Sequence, residues 1–216
     1  MSNIKITDAV IDLETLSTRP DAVITNIGIV GFDRFSKDPF PSLEDVVSGY
    51  WRIETESQFL EGRRADSDTL SWWNDQHPLA RHEVYTSQGR LPLQTVLKEL
   101  EEKWFLGRTR IWGNGVGFDN VLLQHAALPR TIMNFRNDCC FRTLRTVFGS
   151  RTVPLEKCEG HLKHHALHDA YYEAYQLHLL YKDIDRMQAS LKFEEFSNLP
   201  SAFSVELPLT NSNYLV

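Results

Sequence analysis

Apolar residues run together near the start of the chain, at Ala9, Val10, Ile11 and Leu13 and again from Thr25 to Phe32 (TNIGIVGF). Short runs of this kind, rich in β-branched side chains, predict strands. Between them Leu16 to Ala22 (LSTRPDA) carries the proline and small polar residues of a turn. Tyr50 to Ile53 adds a third strand and makes a meander. The character then changes over Asp66 to Tyr85, with Ser67 or Asp68 as the expected N-cap and Pro78 punctuating the middle. Leu93 to Phe105 repeats apolar residues at 93, 96, 97, 100, 104 and 105, the spacing of an amphipathic helix.

Further along, Arg110 to Trp112 predicts a short strand ending in Gly113-Asn114-Gly115, followed by a helix over Phe118 to Leu128. Cys139 to Phe148 reads as a strand leading into a helix, and Gly149 to His165 as a loop without periodicity. Ala166 to Tyr181 predicts a helix, with apolar or aromatic residues at 167, 171, 174, 175, 177 and 179 to 181. Strands first and helices interleaved later imply an α/β domain, a mixed sheet flanked by helices. That domain is expected to span residues 1–196. Residues 197–216, with Pro200 and Pro208 and no clear period, form a C-terminal tail whose role the pattern does not reveal.

Composition narrows the function classes. The 216 residues carry a net charge of −6, the wrong sign for a protein that coats nucleic acid through bulk charge. No apolar run is long enough to span a bilayer, and the start (MSNIKITDAVIDLE) lacks the features of a signal peptide. Cys139, Cys140 and Cys158 are odd in number with two adjacent, which argues against a disulfide framework and for a reduced, cytoplasmic protein.

Three acidic clusters interrupt this pattern where chemistry would want them. Asp12 and Glu14 are two apart on a predicted strand, so their side chains share a face. Two like charges in an apolar run are costly unless a cation neutralises them. Asp119 opens a helix directly after the glycine-rich GNGVG turn, and Asp169 lies one turn inside the last helix. Singly, each has an ordinary reading, as a solvated edge, a helix-start acid favoured by the macrodipole or a surface residue. Together they form an oxygen-rich set suited to hard divalent cations.

The segments IDLET (11 to 15), GFDN (117 to 120) and HHALHDA (164 to 170) resemble, in order and spacing, the three motifs of the DEDDh 3′–5′ exonuclease superfamily. The SWWNDQHPLAR stretch (71 to 81) is similar to the group of phage exodeoxyribonuclease A and its bacterial exoribonuclease-like relatives. The resemblance implies a ribonuclease H-like fold and hydrolysis of single-stranded DNA or RNA from the 3′ end to nucleoside 5′-monophosphates. It implies two Mg²⁺ or Mn²⁺ ions held by Asp12, Glu14, Asp119 and Asp169, with His164 as general base. A sister class places a tyrosine four residues before the last aspartate; His165 stands there instead. Thr15 and Leu16 are expected at the terminal nucleotide, with Trp72 or Trp73 stacking on a base, Phe118 beside the end nucleotide and Gln76 reaching a phosphate or base edge. A homodimer is a further expectation of the resemblance.

Residues 136 to 163 hold six basic side chains against three acidic ones, a local excess suited to phosphates. Two rival readings stay open. His161 with His165, or His164 with His168, has the i, i+4 spacing of a zinc pair, which would suit a zinc-dependent hydrolase. Alternatively the chain is a catalytically silent ribonuclease H-like module that binds nucleic acid.

Overall fold

The computed structural model describes residues 5–115, 117–148 and 160–190. Its strands are β1 (Asp8–Thr15), β2 (Ile24–Phe32), β3 (Val47–Ile53), β4 (Arg90–Leu91), β5 (Arg110–Gly113) and β6 (Asp138–Cys140). Its helices are α1 (Glu56–Leu60), α2 (Ser67–Asn74), α3 (Pro78–Tyr85), α4 (Leu93–Lys103), α5 (Asp119–Ala127), α6 (Phe141–Phe148) and α7 (Ala166–Ser190). The strands form one mixed sheet in the order β4-β3-β2-β1-β5-β6. β1 runs antiparallel to β2 and parallel to β5, and β5 runs parallel to β6.

The meander, the amphipathic helix over 93 to 103 and the strand-to-helix stretch all stand as the apolar pattern implies. The differences have local causes. The N-cap of α2 is Asp66, not Ser67 or Asp68, because its carboxylate accepts the Thr69 amide at 2.7 Å. The short α1 and the two-residue β4 carry too few apolar positions to show a period. Helix α7 runs on to Ser190. The chain divides into two compact units, Met1–Tyr181 and Lys182–Val216. The boundary expected after residue 196, most of the loop over 149 to 163 and the basic residues Arg151 and Lys157 lie outside the described residues. Among the described residues no helix is long and apolar enough to cross a membrane.

Alternation along β1 separates core from site. Ala9, Ile11 and Leu13 join one buried cluster with Val96, Leu97 and Leu100 of α4 and Leu122 and Leu123 of α5. The opposite face therefore carries Asp8, Val10, Asp12 and Glu14. Asp8, fully buried, anchors that face: its carboxylate accepts from the Trp112 indole at 2.8 Å and the Tyr181 hydroxyl at 3.0 Å, and pairs with Arg110 at 3.1 Å. Two elements, β5 and α7, are thus tied to the first residue of β1.

On the same face, Gly28 of β2 lies directly across from Asp12. A Cβ on Gly28 would sit 2.3 Å from the carbonyl of Ala166, so only glycine lets the start of α7 come down onto the sheet. Ala166 and Ala170, both fully buried, are the matching small residues on the helix. Gly28→Ala must push backbone from backbone and is expected to cost about 1–3 kcal/mol or more. Gly31→Ala would meet only the movable side chains of Ile6 and Trp104, at 3.0 Å, and should cost less. Urea unfolding of the two variants checks the order; an equal loss would mean that α7 does not depend on this approach.

Candidate active site

The close approach at Gly28 brings the N-terminal turn of α7 over the carboxylate face of β1, and the turn after β5 completes the site. Asp119 is the first residue of α5, and its Oδ1 accepts the Leu13 amide at 3.3 Å, which ties the helix start to β1. Gly113 makes room for this: a Cβ there would lie 2.6 Å from Asn120 Oδ1 and 3.1 Å from the Asp119 Cβ. Asp12, Glu14, Asp119 and Asp169, read from three separate segments, are brought within electrostatic reach of one another.

Their environment is hostile to so much charge. Burial pushes the Asp12 carboxyl well above the usual range, and the neighbouring Glu14, Asp119, Asp169 and Glu173 push it further. Glu14 is raised in the same way, by burial and then by Asp169 and Asp119. Burial lifts Asp119 to about 7 against the pull of the Leu13, Asp119 and Asn114 amides and of Arg142. Glu14 is only 6% exposed, and its Oε1 has no hydrogen-bond partner. Donor atoms of Glu14, His164 and Asp169 lie within 4.8 Å of one another, and this is the one such group of three or more among the described residues. Buried, unpartnered, acceptor-only oxygens are the donor set that a hard divalent cation takes.

The last motif is built with unusual backbone. His164 has φ +61, and its amide donates to Asp169 Oδ2 at 2.7 Å. His161 Nε2 meets the other oxygen, Oδ1, at 2.9 Å. The Asp169 carboxylate is therefore gripped on both sides by its own approach loop. The His164 ring packs edge-on against Trp72, with centroids 4.7 Å apart, and burial lowers its basicity, opposed by Asp169. His165 is held elsewhere, stacked on Tyr50 at 4.6 Å, and burial takes its pKa down to about 4.

These contacts weigh against a zinc site on the histidines. His161 Nε2 is engaged by Asp169, and His168 Nδ1 accepts the Leu162 amide at 3.1 Å. Their nitrogens do not converge on a common point among the described residues.

Beside the acids lies a groove of about 600 Å³ whose wall includes Glu14, Thr15, Trp72, Phe118 and His164. Trp72 is 43% exposed in it, whereas Trp73 is 1% exposed and donates its indole N–H to the Thr15 carbonyl at 2.9 Å. Adjacent helical residues point apart, so one tryptophan serves the groove and the other the core. Three expected substrate contacts are corrected here. Trp73 sits at the groove wall but offers no free ring face. Leu16 is buried in a small cluster with Val23, Trp73, Ala80 and Val84 and does not line the groove. Gln76 turns back to donate to the Trp72 carbonyl at 2.8 Å and does not line the groove. Thr15 stays at the wall, its hydroxyl donating to the Ser17 carbonyl at 2.7 Å.

Glu173 and His161 carry no motif and were not among the expected site residues. Glu173 stands four residues after Asp169, an acid within the aromatic run YYEAY. That helical spacing to a motif aspartate is the signal that would have found it.

Residues 7–180 match the family of 3′–5′ exoribonuclease Rv2179c-like domains. The chain belongs to this family. The family is one of 3′–5′ exonucleases. Among curated proteins no sequence match is found. Among solved structures, the zinc-ion-bound complex of E. coli ExoI with single-stranded DNA aligns with TM-score 0.59 at 12% identity, covering 85% of this chain and 42% of that one. The complex of E. coli exonuclease I with a dT13 oligonucleotide gives TM-score 0.59 at 14% identity, covering 86% and 43%. These likenesses establish the shared ribonuclease H-like fold. The exonuclease domain described here spans less than half the length of the chains it resembles.

Two outcomes are expected from this geometry. Asp119 keeps its proton in the folded state up to about pH 7 and loses it near pH 4 when unfolded, so its contribution to stability is present below pH 4 and lost as pH rises through 7. In the metal-free protein, Asp119→Asn should raise Tm at pH 8, on the order of 5 °C, and change it little at pH 4. A gain that is the same at both pH values would contradict the buried-charge account. Trp73→Ala should destabilise by about 3–5 kcal/mol, as large-to-small core changes do. Trp72→Ala should leave stability nearly unchanged and raise KM for oligonucleotides; equal unfolding penalties with KM unchanged would assign both rings to the core.

Proposed function

We propose that the chain hydrolyses single-stranded nucleic acid from its 3′ end, RNA foremost, releasing nucleoside 5′-monophosphates with two Mg²⁺ or Mn²⁺ ions. The observation that carries this is the convergence of Asp12, Glu14, Asp119 and Asp169 with His164 at one end of a groove that exposes Trp72. The family's description as exoribonucleases favours RNA, while the structurally similar exonuclease I is bound to single-stranded DNA.

Asp12, Glu14, Asp119 and Asp169 would hold the cations, which when bound stabilise negative charge on the attacking and leaving oxygens of a phosphodiester. The chain's own residues do the rest. His164, kept neutral by burial, accepts the proton of the attacking water at an imidazole nitrogen. Its left-handed backbone and its amide bond to Asp169 hold the ring at the acids. Trp72 presents a face for the terminal base, an interaction worth about 1–3 kcal/mol. Phe118, partly buried against the main core, closes the other side. Arg142, which faces the turn at Gly115 beside Asp119, is placed to take a phosphate oxygen.

The test is digestion of end-labelled RNA and DNA oligomers of matched sequence, with Mg²⁺ or with EDTA. Stepwise loss of 5′-mononucleotides from the 3′ end, stopped by EDTA, is expected. Alanine at Asp12, Glu14, Asp119 or Asp169 should nearly abolish it. His164→Ala should lower kcat by about 10²–10⁴-fold, while His165→Ala and His168→Ala lose far less. Activity in EDTA, or comparable losses at 164 and 168, would overturn the assignment.

A further inference from the structure

A fifth acid stands in the site without belonging to any of the three motifs. Glu173 is on α7, four residues after Asp169 and so on the same helix face. It is 6% exposed, and its Oε2 has no hydrogen-bond partner. Its surroundings are acids: Asp119 and Asp169 act on it directly, and it in turn acts on Asp12. The Asn114 side chain, from the turn after β5, donates a hydrogen bond to its carboxylate, and Arg145 of α6 is a cation that bears on it. Neither contact accounts for a buried glutamate oxygen left bare among other carboxylates, since a bare buried acceptor costs free energy that a leucine or methionine at 173 would avoid.

We propose that Glu173 is a fifth acid of the divalent-cation site, acting on the ions through their hydration and setting how tightly they are held. At a rise of about 1.5 Å per residue it sits roughly 6 Å further along the helix axis than Asp169. A bond of about 2.1 Å from an Asp169 oxygen to a cation, another of about 2.1 Å to its water and a hydrogen bond of about 2.8 Å together cover that distance. Glu173 is therefore a positioning residue rather than a ligand, and its charge adds to the field that draws cations in. Asn114 aims its carboxylate and leaves the second oxygen for water.

This inference rests on the cation reading of the motif acids, and the experiment separates the two. Mn²⁺ alone is titrated calorimetrically into the full chain without nucleic acid, for wild type, Glu173→Gln, Arg145→Gln and Asp119→Asn. Glu173→Gln should weaken Mn²⁺ binding by about 10–100-fold, the usual loss when a group behind the ligands is changed. It should also raise the Tm of the metal-free protein at pH 8, because the isosteric amide removes a buried charge. Arg145→Gln should not weaken Mn²⁺ binding. Wild-type affinity in Glu173→Gln, or a lower metal-free Tm, would overturn the proposal and leave Glu173 as a counter-charge for Arg145. If Asp119→Asn also bound Mn²⁺ as the wild type does, the cation reading itself would fall with it.

Discussion

The site exists because two backbones nearly touch. At Gly28 the sheet has no side chain, and at Ala166 the helix has almost none, so α7 can rest on β2 directly across from Asp12. Any larger residue at 28 would lift the helix, and with it His164 and Asp169, away from the β1 carboxylates. At the far end of the same face, Tyr181 ties α7 to the buried Asp8, which also holds Trp112 and Arg110 of β5. The helix is thus held at Ala166 against β2 and at Tyr181 against the strand that carries the first motif, and the acids meet as a consequence of packing, not of mutual attraction.

That packing works against electrostatics. Asp12, Glu14, Asp119 and Glu173 are all shifted toward their neutral forms by burial, and Asp12, Glu14 and Glu173 also by neighbouring acids. Apolar packing and the Asp8 anchor hold the fold together while the carboxylate face opposes it, which is the arrangement of a site that gains stability from whatever neutralises it. Asp169 is hydrogen-bonded on both oxygens, by the His164 amide and by His161. The approach loop therefore orders the one acid that arrives last in the chain.

Much of this was legible in the residues. Alternation on β1 separated Ile11 and Leu13 from Asp12 and Glu14, and the GNGVG turn marked the start of α5 at Asp119. The strand meander follows from β-branched runs with few competing readings. Contacts made by side chains with two roles were not legible. Trp72 and Trp73 are equivalent as letters, and only the direction of α2 relative to the Thr15 carbonyl makes one core and the other surface. Leu16 follows a motif residue, but the chain turns there and buries it with Val84 of α3. Gln76 loses its expected reach because its side-chain amide turns back onto the Trp72 carbonyl in the last turn of α2.

Glu173 shows the limit of pattern reading most sharply. Of the apolar or aromatic positions expected on α7, 174, 177, 180 and 181 are buried, whereas 167, 171, 175 and 179 are partly exposed; Ala166, Ala170 and Glu173 complete the buried face. Small residues seated the helix, and small residues carry little weight in a hydrophobic period. Once the alanines set the face, the acid at 173 had to point inward with Asp169, because residues four apart share a side. A glutamate among tyrosines therefore reads as solvent-facing in a one-dimensional pattern and as part of the acidic centre once Gly28 is recognised as the contact for Ala166.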